Sequence, residues 1–143
     1  MSGTPSPRAI VVGFDGSPAA GRAMSLALEI ARAGGGRIYL VHAQERDPEQ
    51  VEPATEEESV SVEQAIAAAV AGWAERAAGA SIPFTAVQRD RPAAELLRSV
   101  AKEVGADLVV VGTRGLGPAS KAWLGSVSNS LLTPAEQPVL VVP

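Results

Sequence analysis

Short β-branched runs alternate along this chain with alanine-rich stretches of helical period, and no other feature of the sequence restricts the fold as tightly. Residues 9–14 (AIVVGF) and 37–43 (RIYLVHA) read as the first two strands. Residues 82–88 alternate apolar and polar, and Pro83 suits an edge strand, where a missing N–H breaks no ladder. Residues 107–112 are continuously apolar after Asp107 and β-branched, as a strand covered on both faces should be. Residues 138–143 supply the fifth run. Between them, Ser17-Pro18 marks a helix start: Ser can cap free N–H groups, and Pro suits the first helical position. Ala19, Ala23, Leu26, Ala27, Ile30 and Ala33 follow at helical spacing until Gly34-Gly35-Gly36. A second helix carries Val62, Ile66, Ala69, Val70, Trp73 and Ala77 on one face. A third begins near Asp90-Arg91-Pro92, presents Ala93, Leu96, Leu97, Val100, Ala101 and Val104, and stops at Gly105. A short fourth helix is expected from just after Gly125-Ser126 to about Leu132.

Strands alternating with helices imply a parallel sheet wrapped on both sides, and right-handed crossovers make it doubly wound. The expectation is an α/β fold: a single doubly wound, Rossmann-like domain over residues 8–143, with a flexible tail at 1–7. Its five-stranded parallel sheet should run in the order 3-2-1-4-5, with helices on both faces. At 143 residues one domain suffices. Aromatics make up only 3% of the chain, so Val, Leu, Ile and Ala must build the core.

Composition also removes whole classes of chemistry. The chain has no cysteine, which excludes a disulfide framework, a thiolate metal site and a Cys nucleophile. Its single histidine, His42, excludes a histidine metal cluster; at a strand end it reads as structural rather than as a catalytic base. A net charge of −4 argues against nucleic-acid binding. No apolar stretch reaches the 18 or so residues of a membrane span, and no apolar leader follows the polar N-terminus. A cytoplasmic protein that engages neither nucleic acid nor membrane is expected. Gln44 to Glu58 reads as a long acidic loop, either solvated or acting as a lid beside the strand ends. Its Glu56-Glu57-Glu58 run suits a solvated helix start, where negative charge is favoured.

Ligands of an open α/β sheet lie beyond the carboxyl ends of the strands, where the strand order reverses. The loops after the first and fourth strands should meet there. The fourth strand runs into Gly112-Thr113-Arg114-Gly115, then nine residues, then Gly125-Ser126-Val127-Ser128. Glycines let backbone N–H groups approach an anion closely, and a helix opening at Gly125-Ser126 would present free amides and a positive dipole end. Ser126 and Ser128 can add hydroxyls and Arg114 positive charge, so a polyphosphate is the natural guest. Neither the G-x-x-x-x-G-K-[ST] loop nor the G-x-G-x-x-G fingerprint occurs. Asp15, by its position alone, either caps the following turn or faces a ligand.

The arrangement Gly-x2-Gly-x9-Gly-Ser after a buried fourth strand, closed by Pro138-Val139-Leu140-Val141-Val142, resembles the ATP-binding branch of the universal stress proteins. Residues 10–17 (IVVGFDGS) look like that family's opening strand and loop, and Leu40-Val41-His42-Ala43 like its second strand. The resemblance implies that Asp15 hydrogen-bonds a ribose and that the backbone around Gly13 and Val41 flanks adenine. It further implies that Gly112, Arg114, Gly115, Gly125, Ser126, Val127 and Ser128 surround the phosphates of ATP, with Mg²⁺ in attendance. A homodimer through the last strand, residues 138–142, is implied too, and a bare apolar edge strand invites such pairing. Two departures bear on partners: Thr133 stands where many relatives carry a basic residue or His, and Glu136-Gln137 replaces a Cys-containing turn.

Hydrolysis needs a positioned base or water-orienting group, and near the phosphates only Asp15 offers itself, already assigned to the sugar. Nucleotide-dependent regulation with at most slow turnover is therefore expected. A preference for AMP or cyclic AMP stays open, as does an interaction module with no nucleotide. An adenylating enzyme of related fold fits less well, because its S-G-G-x-D-S loop is absent.

Overall fold

The computed structural model describes residues 7–43, 56–113 and 137–143. Its elements run β1 (Ala9–Gly13), α1 (Pro18–Gly34), β2 (Arg37–Ala43), α2 (Glu56–Gly79), β3 (Phe84–Arg89), α3 (Ala93–Val104), β4 (Leu108–Gly112) and β5 (Val139–Val142). All five strands join one sheet in the order β3-β2-β1-β4-β5, and every pairing is parallel. The doubly wound sheet expected from the sequence is therefore the observed one. The expected fourth helix and most of the acidic loop lie outside the described residues.

Strand alternation sorts the core into two layers. Ile10 and Val12 of β1, Ile38 and Leu40 of β2, Val110 of β4 and Val142 of β5 face α1 and α2. Val11, Val41, Val109 and Val111 face Leu96, Leu97, Val100 and Ala101 of α3. Ile10, Val11 and Val12 are wholly enclosed, because β1 is the central strand and both its faces are covered. Each such side chain contributes about 1.5–3 kcal/mol relative to exposure. Phe84, Val87 and the otherwise exposed residues of β3 show that it is an edge, as Pro83 suggested.

Helix boundaries follow local chemistry. Ser17 caps α1 through its side chain, which accepts from the Ala20 N–H at 3.2 Å, and Pro18 opens the helix. α1 and α3 end in left-handed glycine caps, Gly35 and Gly105. Two expectations shift. α1 buries Ala19, Ala23 and Ala27 as expected, with Ala20, Met24, Leu28 and Ala31 beside them, while Leu26 and Ile30 only flank this stripe and Ala33 is exposed. α2 begins at Glu56, so the acidic loop ends three residues earlier than Glu58, as a carboxylate-rich first turn favours. Trp73 packs against the core but stays half-buried, with the Arg76 guanidinium 4.4 Å over its ring. No helix among the described residues is long and apolar enough to cross a membrane.

Candidate functional site

The strand order reverses between β1 and β4, because the chain leaves β1 toward β2 on one side and returns to β4 on the other. The carboxyl ends of these two strands touch. A Cβ placed on Gly13 would lie 3.2 Å from Val111 Cγ1 and 3.1 Å from Leu97 Cδ1. Gly13 also sits in register with Val41, so three adjacent strands end on the side of the sheet where a doubly wound fold leaves its crevice.

At Gly112 the space is tighter still. A Cβ there would meet the Ala19 Cβ at 2.7 Å and the Ala19 carbonyl carbon at 3.0 Å. The first turn of α1 thus lies directly against the end of β4, and only glycine admits it. This gives Gly112 a packing role that its reading as a phosphate-cradle residue did not contain. It also brings the positive end of α1, whose first turn carries no acidic residue, beside the crevice.

The loop between β1 and α1 is held by short bonds. Asp15, half-buried, accepts from the Ser17 N–H through Oδ1 at 2.9 Å, the turn-capping contact considered from the sequence. Gly16 takes φ +83°, which a side chain disfavours, and a Cβ there would meet Ile66 Cγ1 of α2 at 3.1 Å. Phe14 donates its N–H to the Val41 carbonyl at 2.9 Å, prolonging the β1–β2 ladder past the end of β1. Thr113 likewise donates to the Val142 carbonyl at 2.8 Å. The Thr113 amide is therefore engaged within the sheet.

His42 is a feature whose surroundings the sequence reading did not anticipate. It is 5% exposed, with Nδ1 3.0 Å from the Phe14 carbonyl and Nε2 3.0 Å from Glu63 Oε2 of α2. The structural reading of this histidine agrees with that enclosure. Its pairing with a carboxylate 21 residues away had no signal in a single sequence.

Of the residues singled out for a ligand, Gly13, Asp15, Val41 and Gly112 stand together at the carboxyl ends of β1, β2 and β4. Arg114, Gly115, Gly125, Ser126, Val127 and Ser128 lie outside the described residues, as do Trp123, Thr133 and Glu136. Among the described residues no group of three or more His, Asp or Glu side chains could hold a metal ion.

Comparison with known proteins gives a uniform result. The family model described as "Universal stress protein family" matches residues 7–143. A universal stress protein of Thermus aquaticus is 35% identical over 135 residues, covering 94% of this chain and 98% of the relative. One from Mycobacterium tuberculosis is 39% identical over 135 residues, covering 92% of this chain but 44% of the relative. The chain thus spans under half the length of the mycobacterial relatives it matches. A universal stress protein solved in complex with cAMP superposes with a TM-score of 0.72 at 28% identity, covering 96% of this chain and 98% of the other.

Proposed function

The chain belongs to the universal stress protein family, and from that premise we propose that it binds an adenine nucleotide in the crevice between β1 and β4 and acts as a nucleotide-dependent regulatory or stress-response protein. The observation that carries this reading is the meeting of Gly13, Asp15, Val41 and Gly112 at the reversal point of the sheet, beside the positive end of α1. A relative with 28% identity bound to cAMP supports an adenosine-type ligand.

ATP with Mg²⁺ is the fuller form of the proposal. Asp15 would meet the ribose, already oriented by its bond to the Ser17 N–H. The backbone of Gly13 and Val41 would flank adenine by contact, since the Val41 carbonyl is engaged by Phe14. Gly112, Arg114, Gly115, Gly125, Ser126, Val127 and Ser128 would surround the phosphates. Mg²⁺ would be held chiefly through those phosphates, in keeping with its habit of binding few protein ligands. With Asp15 committed to sugar and turn, hydrolysis is at most slow. The apolar edge strand β5 supports a homodimer joined through residues 138–142.

A second reading, preference for cyclic AMP or AMP over ATP, is favoured by the cAMP complex of the relative. Thermal unfolding with Mg-ATP, AMP and cyclic AMP separates the two. A ligand at 100 times its dissociation constant should add about 2.7 kcal/mol. No shift with any of them would leave an interaction module without nucleotide and end the proposal. Gly125→Asp should abolish ATP binding, and tight binding by that variant would place the phosphates elsewhere. Light scattering at micromolar concentration tests the dimer, which a monomer would refute.

A further inference from the structure

The buried polar side chains among the described residues are Ser17 and His42, and only Ser17 has its place explained by a helix cap. His42 lies at the end of β2, next to Val41. Between them these two residues hold both main-chain polar groups of Phe14. The Val41 carbonyl accepts the Phe14 N–H at 2.9 Å, and His42 Nδ1 lies 3.0 Å from the Phe14 carbonyl. A carbonyl only accepts, so Nδ1 carries a proton and donates. The opposite nitrogen, Nε2, stands 3.0 Å from Glu63 Oε2. The imidazole is thus a rigid bridge from α2 to the peptide that precedes Asp15.

We propose that His42 is a positioning residue: through its bond to Glu63 it carries the placement of α2 to the Phe14–Asp15 peptide, and so sets the affinity of the crevice for nucleotide. The affinity clause rests on the nucleotide reading above, while the clause about the loop does not. Gln88, the register partner of His42 on β3, is uncharged, and Glu63 on α2 is a charged group that faces the ring.

The test uses the full chain with Glu63→Leu and Glu63→Gln. The Glu63 side chain is 30% exposed, so both substitutions fit without opening the core. Gln keeps a polar partner for Nε2; Leu removes it. Amide hydrogen exchange of Phe14 and Ser17 in nucleotide-free protein is read against Val110 as an internal core reference, and Mg-ATP affinity by titration calorimetry. In the Leu variant the two loop amides should exchange faster relative to Val110, and affinity should fall about 2- to 30-fold, the range of couplings carried between sites. The Gln variant should stay within about twofold of the parent, the margin below that range. Unchanged loop exchange in the Leu variant overturns the proposal. So does faster exchange with unaltered affinity, or equal loss in both variants, which would make the effect one of packing. Should the parent bind no adenine nucleotide, the functional reading falls. The exchange comparison then decides the loop clause alone: faster exchange in Leu but not Gln upholds it, and any other pattern overturns it.

Discussion

Two aspartates grip main-chain amides at opposite ends of β1, and what each one joins differs. At the amino end, Asp107 accepts from both the Arg8 and Ala9 N–H groups through Oδ2, each at 3.0 Å, stitching the start of β4 to the start of β1 across nearly a hundred residues. At the carboxyl end, Asp15 Oδ1 accepts from the Ser17 N–H, two residues on, at 2.9 Å. The first contact closes a long-range strand pairing and faces solvent. The second shapes the loop from β1 to α1 around a half-buried carboxylate. One bond type therefore serves closure at one end and preorganisation at the other, and sequence separation distinguishes the two uses.

The largest expected effect tests whether the carboxyl end is as tightly built as its distances say. Gly112→Val would drive a branched side chain into the backbone of Ala19. A loss of about 3 kcal/mol is expected, at the upper end of ordinary overpacking, read from the midpoint of urea unfolding. An unchanged midpoint would break the comparison, because α1 would then not rest on β4. Asp15→Ala comes next. Under the proposed function it should weaken nucleotide binding by about 1.5–3 kcal/mol, the usual worth of a hydrogen bond to a charged group. Unaltered affinity by calorimetry would reduce Asp15 to a turn-former and make the two aspartates equivalent after all.

Asp107→Asn should have a smaller effect, because the site is open to water, and it should show in the pH dependence. The amides of Ala9 and then Arg8 hold the Asp107 carboxyl below its ordinary value of 3.8, opposed by desolvation and aided least by the Arg8 guanidinium. A folded pKa below the unfolded one adds stability that is present in full above pH 3.8 and lost as the pH drops through the lowered value. Acid unfolding of the parent should steepen in that window, and the Asn variant should lack that component; identical acid profiles would show that the stitch carries no weight. The smallest effect has the opposite sign. Ser81, in the turn after α2, takes φ +57°. Ser81→Gly should relieve that conformation and gain a few tenths of a kcal/mol after glycine's extra unfolded-state entropy. A fall in the melting temperature would contradict it.

The layout of the sheet was legible because its signals are local and redundant. Residues 107–112 could hardly be read as anything but a covered strand, and Ser17-Pro18 named the start of α1 directly. The faces of α2 and α3 also followed, since Ile66 and Trp73, and Leu96 and Leu97, pack on the core where helical spacing put them. α1 was harder. Alanine occupies both its buried and its exposed positions, so periodicity alone could not separate exposed Ala33 from the buried Ala19, Ala23 and Ala27. The site divides in the same way. That Gly13, Phe14 and Asp15 form the exit from β1 follows from their place in the sequence. The contact of Gly112 with Ala19 and the bridge from His42 to Glu63 join distant residues, and pairings of that kind leave no mark in one chain.

The close seat of Ala19 on Gly112 has a consequence for divergence. Glycine cannot become smaller, so this joint can drift only where the helix moves away or the alanine shrinks, and each route lifts or loosens the start of α1. Descendants of this chain that keep the crevice should inherit both residues as a pair, whereas those that lose one will have given up the mouth of the crevice as well.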